Sequence, residues 1–326
     1  MKILVLRFSS IGDIVLTSPV VRCIKKAIPH AEIHYATKAS YAPILEHNPY
    51  IDRLHLLHPN HFTIWLQDLK SLQFDFVVDL HHNLRTARIK WALKAPSDSF
   101  PKLNIQKWLS VRFGSTRFLP QNHIVHRYFK AVQKLQVTYD GAGLDFFEGP
   151  NTAPPPGVSK LKPGAYICIA IGAQHQTKIM PIHKWIELLQ RVAKPIVVLG
   201  GPQDVSRAEQ ICNALPQKEL YNLCNQSSLL QSALCIKNAA MLLTHDTGLM
   251  HIAAAYNIPI YSFWGSTVPE FGMTPFFPDH SPAANLSSVF EVRGLACRPC
   301  SKIGFQQCPK KHFQCMNNHD FQSIQL

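Results

Sequence analysis

The sequence predicts an α/β protein built from two doubly wound, Rossmann-like domains facing each other across a cleft, and three observations carry that prediction. The chain has 326 residues, about twice the size of an ordinary single domain. Short, continuously apolar runs such as Ile3–Leu6 and Phe76–Val78 alternate with helical patterns in both halves, as strands covered on both faces should. The stretch Glu148–Gly164, EGPNTAPPPGVSKLKPG, carries five prolines and three glycines and cannot hold a regular element. It reads as a linker (about 148–164) dividing a domain of residues 1–150 from one of 151–326.

In the first half the β-rich runs predict strands over Lys2–Arg7, Glu32–Ala36, Arg53–Leu57 and Phe74–Leu80, with a helix from about Asp13 to Ala27. After residue 84 the chain turns helical and basic, with a helix around Val125–Leu135. Beyond the linker the alternation restarts, with strands over Ala165–Ile171, Ile196–Leu199, Leu220–Leu223, Met241–Thr244 and Ile258–Phe263. Helical patterns fill the gaps, for example His183–Val192, Val205–Ala214 and 247–255. No short repeat of solenoid type is present. In doubly wound folds ligands sit beyond the carboxyl ends of the strands, which directs attention to the strand-to-helix junctions.

Composition removes several classes. Apolar residues make up 46% and charged ones 16%, against about 25% charged in a typical domain, which excludes a disordered chain or a coiled coil. No uninterrupted apolar run of about 18 residues exists, so no membrane-spanning helix is expected. The four apolar residues before Arg7 are too few for a secretory h-region. Nine cysteines, an odd number in so long a chain, do not read as a disulfide scaffold, and a cytoplasmic, reduced protein is expected.

The net charge is +13, and between Arg85 and Lys134 eleven Lys or Arg face a single acid, Asp98. Such a block suits nucleic acid, an acidic membrane surface or a phosphorylated substrate; a solvated basic face is the plain alternative. The block lacks an interleaved aromatic stacking pattern, so no nucleic-acid partner is expected.

Two junctions can carry chemistry. The first is Arg7-Phe8-Ser9-Ser10-Ile11-Gly12-Asp13, directly after the first strand. Small residues there let the backbone turn tightly and approach a ligand. Asp13 opens a helix, whose dipole favours the ionised carboxylate. It can accept a proton from a hydroxyl nucleophile or simply cap the helix. The second junction is Thr244-His245-Asp246-Thr247-Gly248-Leu249-Met250-His251. With Asp246 or Thr247 as cap, the N–H groups from Gly248 onward point out and suit a phosphate or diphosphate. His251 lies one turn after Thr247, on the same face. Neither junction is a GxGxxG or a Walker loop, so dinucleotide and P-loop chemistry lose support.

Together these residues resemble glycosyltransferase family 9, the ADP-heptose:lipopolysaccharide heptosyltransferases. The pieces are R-x-S-S-x-G-D-x-x-x-T-x-P (Arg7 to Pro19), Lys178, D-T-G-x-M-H (Asp246 to His251) followed by A-A-A-x-x-x-P, and F-W-G-S-T (Phe263 to Thr267). The resemblance spans most of the chain and is weakest between residues 95 and 160. It implies a GT-B fold with an ADP-sugar donor on the carboxyl-terminal half and a phosphorylated lipid A–Kdo core acceptor on the amino-terminal half. It further implies transfer with inversion, no catalytic metal, and a place on the inner face of the cytoplasmic membrane.

Carried over by position, the resemblance makes Asp13 the catalytic base and Lys178 the neutraliser of the donor diphosphate. Asp246, Thr247, Gly248 and His251 become contacts to diphosphate and sugar, and Asp204 the holder of the ribose hydroxyls. Ser10 and Gly12 in the tight turn, and Arg85 in the turn His81-His82-Asn83-Leu84-Arg85-Thr86, are acceptor-side candidates, a plain helix-start arginine being the alternative for Arg85. Where the family often has an aromatic–Pro pair after the lysine, this chain has Lys178-Ile179-Met180-Pro181. The wall near the donor can therefore differ, and a GT-B transferase or epimerase for another nucleotide sugar is the rival reading. A basic nucleic-acid-binding protein is the non-enzyme rival.

Cys297-x2-Cys300-x7-Cys308-x6-Cys315, with His312 nearby, has partial zinc-site spacing, looser than a zinc ribbon in its second half. A structural zinc and a thiol-rich surface loop are the two readings, the loop being the simpler. Cys23, Cys168, Cys212, Cys224 and Cys235 lie in apolar segments and read as small core residues.

Overall fold

The computed structural model describes residues 1–322 and 324. It divides into two compact units, one of Met1–Lys102 and Asn122–Gly149, the other of Leu103–Gln121 and Pro150–Leu326.

In the first unit the strands are β1 (Lys2–Leu6), β2 (Glu32–Lys38), β3 (Arg53–Leu57), β4 (Phe76–Asp79) and β5 (Ser97–Ser99), in the order β3-β2-β1-β4-β5. Every pair is parallel. Ile3, Leu4, Val5 and Leu6 are fully buried, as a central strand packed on both faces requires. The connecting helices are α1 (Ile11–Val15), α2 (Ser18–Ala27), α3 (Phe62–Ser71) and α4 (Leu84–Leu93). Trp65, Leu66 and Leu69 of α3 and Ile89 of α4 pack with Leu4, Leu6 and Val77 in one core.

The helix expected from Asp13 to Ala27 is broken in two. Pro19 has no N–H to give the Val15 carbonyl, and the Ser18 hydroxyl donates to that carbonyl instead, at 2.7 Å. Thr17, the N-cap of α2, donates its hydroxyl to the Ile14 carbonyl at 2.6 Å. The sequence pattern also gave no hint of β5, whose residues Ser-Asp-Ser form a short polar edge strand.

The chain then leaves this unit. Helix α5 (Asn104–Phe113) and the turn after it belong with the second unit, where Val111 and Leu119 pack on Val268 and Phe271. The linker position alone places this segment within residues 1–150. The chain returns with α6 (Ile124–Tyr128), which continues as 3₁₀ turns over Phe129–Leu135; the expected helix over Val125–Leu135 is thus only partly α-helical. No helix or strand is described between Leu135 and Ile167.

The second unit's strands are β6 (Ile167–Ala170), β7 (Ile196–Leu199), β8 (Leu220–Asn222), β9 (Leu242–His245), β10 (Ile260–Trp264) and β11 (Ser288–Glu291). They run parallel in the order β11-β10-β9-β6-β7-β8. Helices α7 (Ile182–Gln190), α8 (Val205–Ala214), α9 (Leu229–Lys237) and α10 (Gly248–Ala255) link them. Trp185, Leu188 and Leu189 of α7 meet Ile169, Val198, Leu243 and Phe263 in a core fully removed from water.

Both sheets follow the 3-2-1-4-5 order of doubly wound folds, extended by a sixth strand in the second. The strand order reverses between β1 and β4 in one unit and between β6 and β9 in the other. Loops diverge at such switch points and leave a crevice beyond the strand ends. Both candidate junctions fall there. Among the described residues no helix is long and apolar enough to cross a membrane.

Candidate functional site

The switch point of the first unit is organised by Arg7, buried to 7% exposure just past the end of β1. Its guanidinium donates to the Ser9 carbonyl (Nε, 2.8 Å), and to the Leu80 carbonyl (2.6 Å) and the Tyr128 hydroxyl (3.1 Å) from Nη1. Its Nη2 lies 2.7 Å from Asp13 Oδ1. The other Asp13 oxygen accepts from the Ser10 hydroxyl at 3.0 Å and the Ser10 N–H at 3.3 Å. Asp13 therefore closes a capping box with the N-cap Ser10, and the same contacts fix the direction of its carboxylate.

The β4–α4 turn lies alongside, because β1 pairs with β4 with Leu6 opposite Asp79. Asp79 is fully buried, accepts the N–H groups of His81 (3.1 Å) and His82 (2.7 Å), and pairs with Lys90 at 3.0 Å. Burial pushes its carboxyl up, but the His82 N–H and the Lys90 ammonium outweigh it and hold the group below the ordinary range. His81 packs edge-on to Phe8 at 5.8 Å. Burial, then the charges of Arg7 and Lys102, push His81 down to about 4, so it is neutral at pH 7. Arg85 is exposed and lies 5.5 Å over the ring of Phe8. Asp13, Ser10, Gly12 and Arg85 thus gather around one turn, joined by Arg7, Tyr128 and His81.

In the second unit Ala170 of β6 stands opposite Thr244 of β9, which brings the segment after β6 against the Asp246 turn. The Lys178 ammonium lies 2.5 Å from Asp246 Oδ2, and the Thr267 hydroxyl donates to the same oxygen at 3.0 Å. Burial alone would raise the Asp246 carboxyl; the Lys178 charge outweighs it, with smaller help from His251 and Thr267, and holds it below the ordinary range. His245, fully buried and edge-on to Trp185, accepts the Met180 N–H at 2.9 Å and so pins the Lys178 segment to β9. Burial pushes His245 down to about 3.

Thr247 is the N-cap of α10 in extended conformation and makes no side-chain cap hydrogen bond. The leading N–H groups of the helix, from Gly248 onward, therefore keep their anion-binding character. His251 is buried one turn further on.

Asp204 also reaches this region. A Cβ on Gly172, two residues past β6, would sit 2.0 Å from Asp204 Oδ2, so the glycine is what lets this carboxylate approach the end of β6. Asp204 Oδ2 accepts the Gly201 N–H at 2.9 Å and Oδ1 pairs with Arg207. Arg207, which the sequence reading did not single out, also reaches Gln176 Oε1 at 3.4 Å. Gly265 of the F-W-G-S-T run is held by space: a Cβ there would lie 2.7 Å from the Thr177 carbonyl. Ile179 and Met180, where the sequence departs from the family pattern, are both buried, and Met180 is in the core.

Of the cysteine cluster, Cys297 Sγ lies 3.9 Å from His312 Nε2. Burial, and then neighbouring thiols of the cluster, push Cys300 and Cys315 up, Cys315 to about 12. Among the described residues no group of three or more ligating side chains is placed to hold a metal ion. Cys23, Cys168, Cys224 and Cys235 are buried and Cys212 is half-buried.

A family model described as glycosyltransferase family 9 (heptosyltransferase) matches residues 64–307. Lipopolysaccharide heptosyltransferase 1 of Pseudomonas aeruginosa is 25% identical, over 93% of this chain and 86% of its own. Among solved structures, a family 9 glycosyl transferase from Veillonella parvula superposes with a TM-score of 0.71 at 23% identity, covering 89% of this chain and 86% of that one. The E. coli heptosyltransferase WaaC with ADP gives a TM-score of 0.65 at 19% identity, over 84% and 91% of the two chains. At these identities the superpositions speak to the fold, which is GT-B, two parallel-sheet α/β units.

Proposed function

The chain belongs to glycosyltransferase family 9, the heptosyltransferases, and from that premise we propose that it transfers heptose from ADP-heptose to the inner core of lipopolysaccharide, a Kdo–lipid A or heptosyl acceptor, with inversion at the anomeric carbon. The observation that carries this reading is the pairing of Lys178 and Asp246 beside the N-terminus of α10. The reading draws on relatives whose names specify lipopolysaccharide heptosyl transfer and on a neighbour solved with ADP.

The reaction is one displacement. The acceptor hydroxyl oxygen forms a bond to the anomeric carbon, the bond from that carbon to the diphosphate breaks, and ADP leaves with the electron pair. Asp13 receives the hydroxyl proton, a role worth about 10²–10⁴ in rate. Arg7 and Ser10 hold its carboxylate in one orientation. The carboxylate need not be a strong base in the ground state. Transfer still proceeds because the hydroxyl acidifies as its bond to carbon forms. The leaving diphosphate is met by the Lys178 ammonium and the N–H groups that open α10, with His251 at the sugar. That assignment of charge neutralisation needs no metal ion. Asp204 and Arg207 border the place assigned to the ribose. Ser10, Gly12 and Arg85 are assigned to the acceptor, whose phosphates place the enzyme on the anionic inner face of the cytoplasmic membrane.

Transfer from ADP-heptose to defined acceptors, followed by product mass, tests the reaction. Asp13→Ala should keep ADP affinity and lose at least about a hundredfold in turnover. Unchanged turnover would remove the base, and protection by UDP in place of ADP against thermal unfolding would reassign the donor.

A further inference from the structure

The segment Leu103–Gln121 joins the second unit from the middle of the first unit's sequence. Its nineteen residues contain Lys107, Arg112 and Arg117 and no acid. One side is anchored: Val111 packs on Leu119, Val268 and Phe271, and the Lys107 ammonium lies 5.0 Å over the Phe271 ring. The other side faces water with unusually large apolar groups. Ile105 is 73% exposed, Trp108 54% and Phe113 61%. Ile105, Trp108 and Arg112 follow at i, i+3 and i+7, one stripe of α5. The cations stand among the rings, with Arg112 5.8 Å over Phe113, Arg117 5.0 Å over Phe118, and the two phenylalanine rings 6.0 Å apart. Aromatic side chains are thus interleaved with the basic block here, at Lys107-Trp108, Arg112-Phe113 and Arg117-Phe118, which corrects the expectation that the block lacks such a pattern.

We propose that α5 and the turn after it are a docking surface for an anionic lipid bilayer. A tryptophan and a phenylalanine beside arginines, free of acids, match a bilayer interface on both counts. The rings and Ile105 enter the boundary between headgroups and acyl chains, where amphipathic aromatics concentrate, while Arg112 and Arg117 stay with the lipid phosphates. Charge complementarity decides against a neutral surface, since the cations gain only where the headgroups are anionic. The exposed aliphatic Ile105 favours lipid over nucleic acid, whose bases need flat stacking partners. This surface lies outside the groups assigned to donor and acceptor. It deepens the reading above only by saying what holds the protein where a lipid-linked acceptor is found.

The test is flotation of the full chain with vesicles of phosphatidylglycerol and phosphatidylcholine in equal parts, against phosphatidylcholine alone, with no sugar donor or acceptor present. The protein should float with the anionic vesicles only, and less so as salt rises. Trp108→Ser with Phe113→Ser should cut the bound fraction at least about fivefold, with the thermal midpoint unchanged because both side chains are exposed. If that pair unfolds the protein, Arg112→Gln with Arg117→Gln carries the test and should cut the bound fraction and flatten its salt dependence. Equal flotation with both vesicle types, flotation of both variants like the parent, or capture by single-stranded RNA in preference to vesicles overturns the proposal. Transfer activity plays no part, so failure here and failure of the heptosyltransferase reading are separate results.

Discussion

Replacing Lys178 by Met removes an ammonium 2.5 Å from Asp246 Oδ2 while keeping an unbranched stem one atom shorter. The two side chains are 15% and 12% exposed, so water shields the carboxylate poorly once its partner is gone. Two unit charges about 4 Å apart attract by about 4 kcal/mol at an effective dielectric constant of 20, and breaking a buried pair costs about 3–5 kcal/mol in measured cases. The Thr267 hydroxyl, at 3.0 Å, remains to share the carboxylate, which places the expected loss near the lower figure, about 3 kcal/mol. In a unit of this size that lowers the thermal midpoint by roughly 6–12 °C.

The double variant Lys178→Met with Asp246→Asn separates structure from function. With no carboxylate left uncompensated, it should recover most of the lost stability. Its affinity for ADP should stay about 10–100-fold below the parent if Lys178 meets the diphosphate as proposed, since that charged hydrogen bond is still missing. Calorimetric unfolding and ADP titration read the two quantities independently. An ADP affinity equal to the parent's in either variant would strip Lys178 of its donor role. Equal destabilisation of single and double variants would show that the ion pair is not what holds this turn.

Other outcomes follow from the same contacts. Gly265→Ala forces a Cβ to within 2.7 Å of the Thr177 carbonyl; backbone cannot yield as a side chain can, and urea unfolding should show a loss of about 1–3 kcal/mol. Arg22 donates to both oxygens of Asp140 and to the Gly143 carbonyl, and pairs with Asp145, so Arg22→Met should cost about 3–5 kcal/mol by the same measurement. His245 is held near 3 by burial, below its unfolded value of about 6.5. As pH falls through that interval the unfolded chain takes the proton first, so stability drops with acidification, by about 2 kcal/mol between pH 6.5 and pH 5. His81, His55 and His319, each pushed down to about 4, act in the same direction. His245→Gln should flatten thermal midpoint against pH over this range; an unaltered slope would place the proton uptake elsewhere.

What the sequence could and could not disclose follows from the range of the forces involved. Ile3–Leu6 and Ile196–Leu199 announce buried parallel strands because the signal is their own continuous apolarity, and from them the doubly wound class follows. The break between Val15 and Ser18 was readable in principle from Pro19, but an apolar helical pattern on both sides concealed it. That Leu103–Gln121 groups with the second unit is invisible locally, because Val268 and Phe271, on which its Val111 and Leu119 pack, come far later in the chain and leave no local periodicity. The site residues divide along the same line. Lys178 and Asp246 stand 68 positions apart and were assigned to one donor site only through a family resemblance, their ion pair being unforeseen, while the Arg7–Tyr128 contact, spanning 121 positions, left no trace in any motif. Asp13 is the instructive case. Local reasoning offered a cap or a base as alternatives, yet the Ser10 N–H that makes it a cap and the Arg7 guanidinium that aligns its other oxygen belong to one arrangement. Capping and the Arg7 contact fix both carboxylate oxygens in one direction, so the cap does not compete with the base role proposed above.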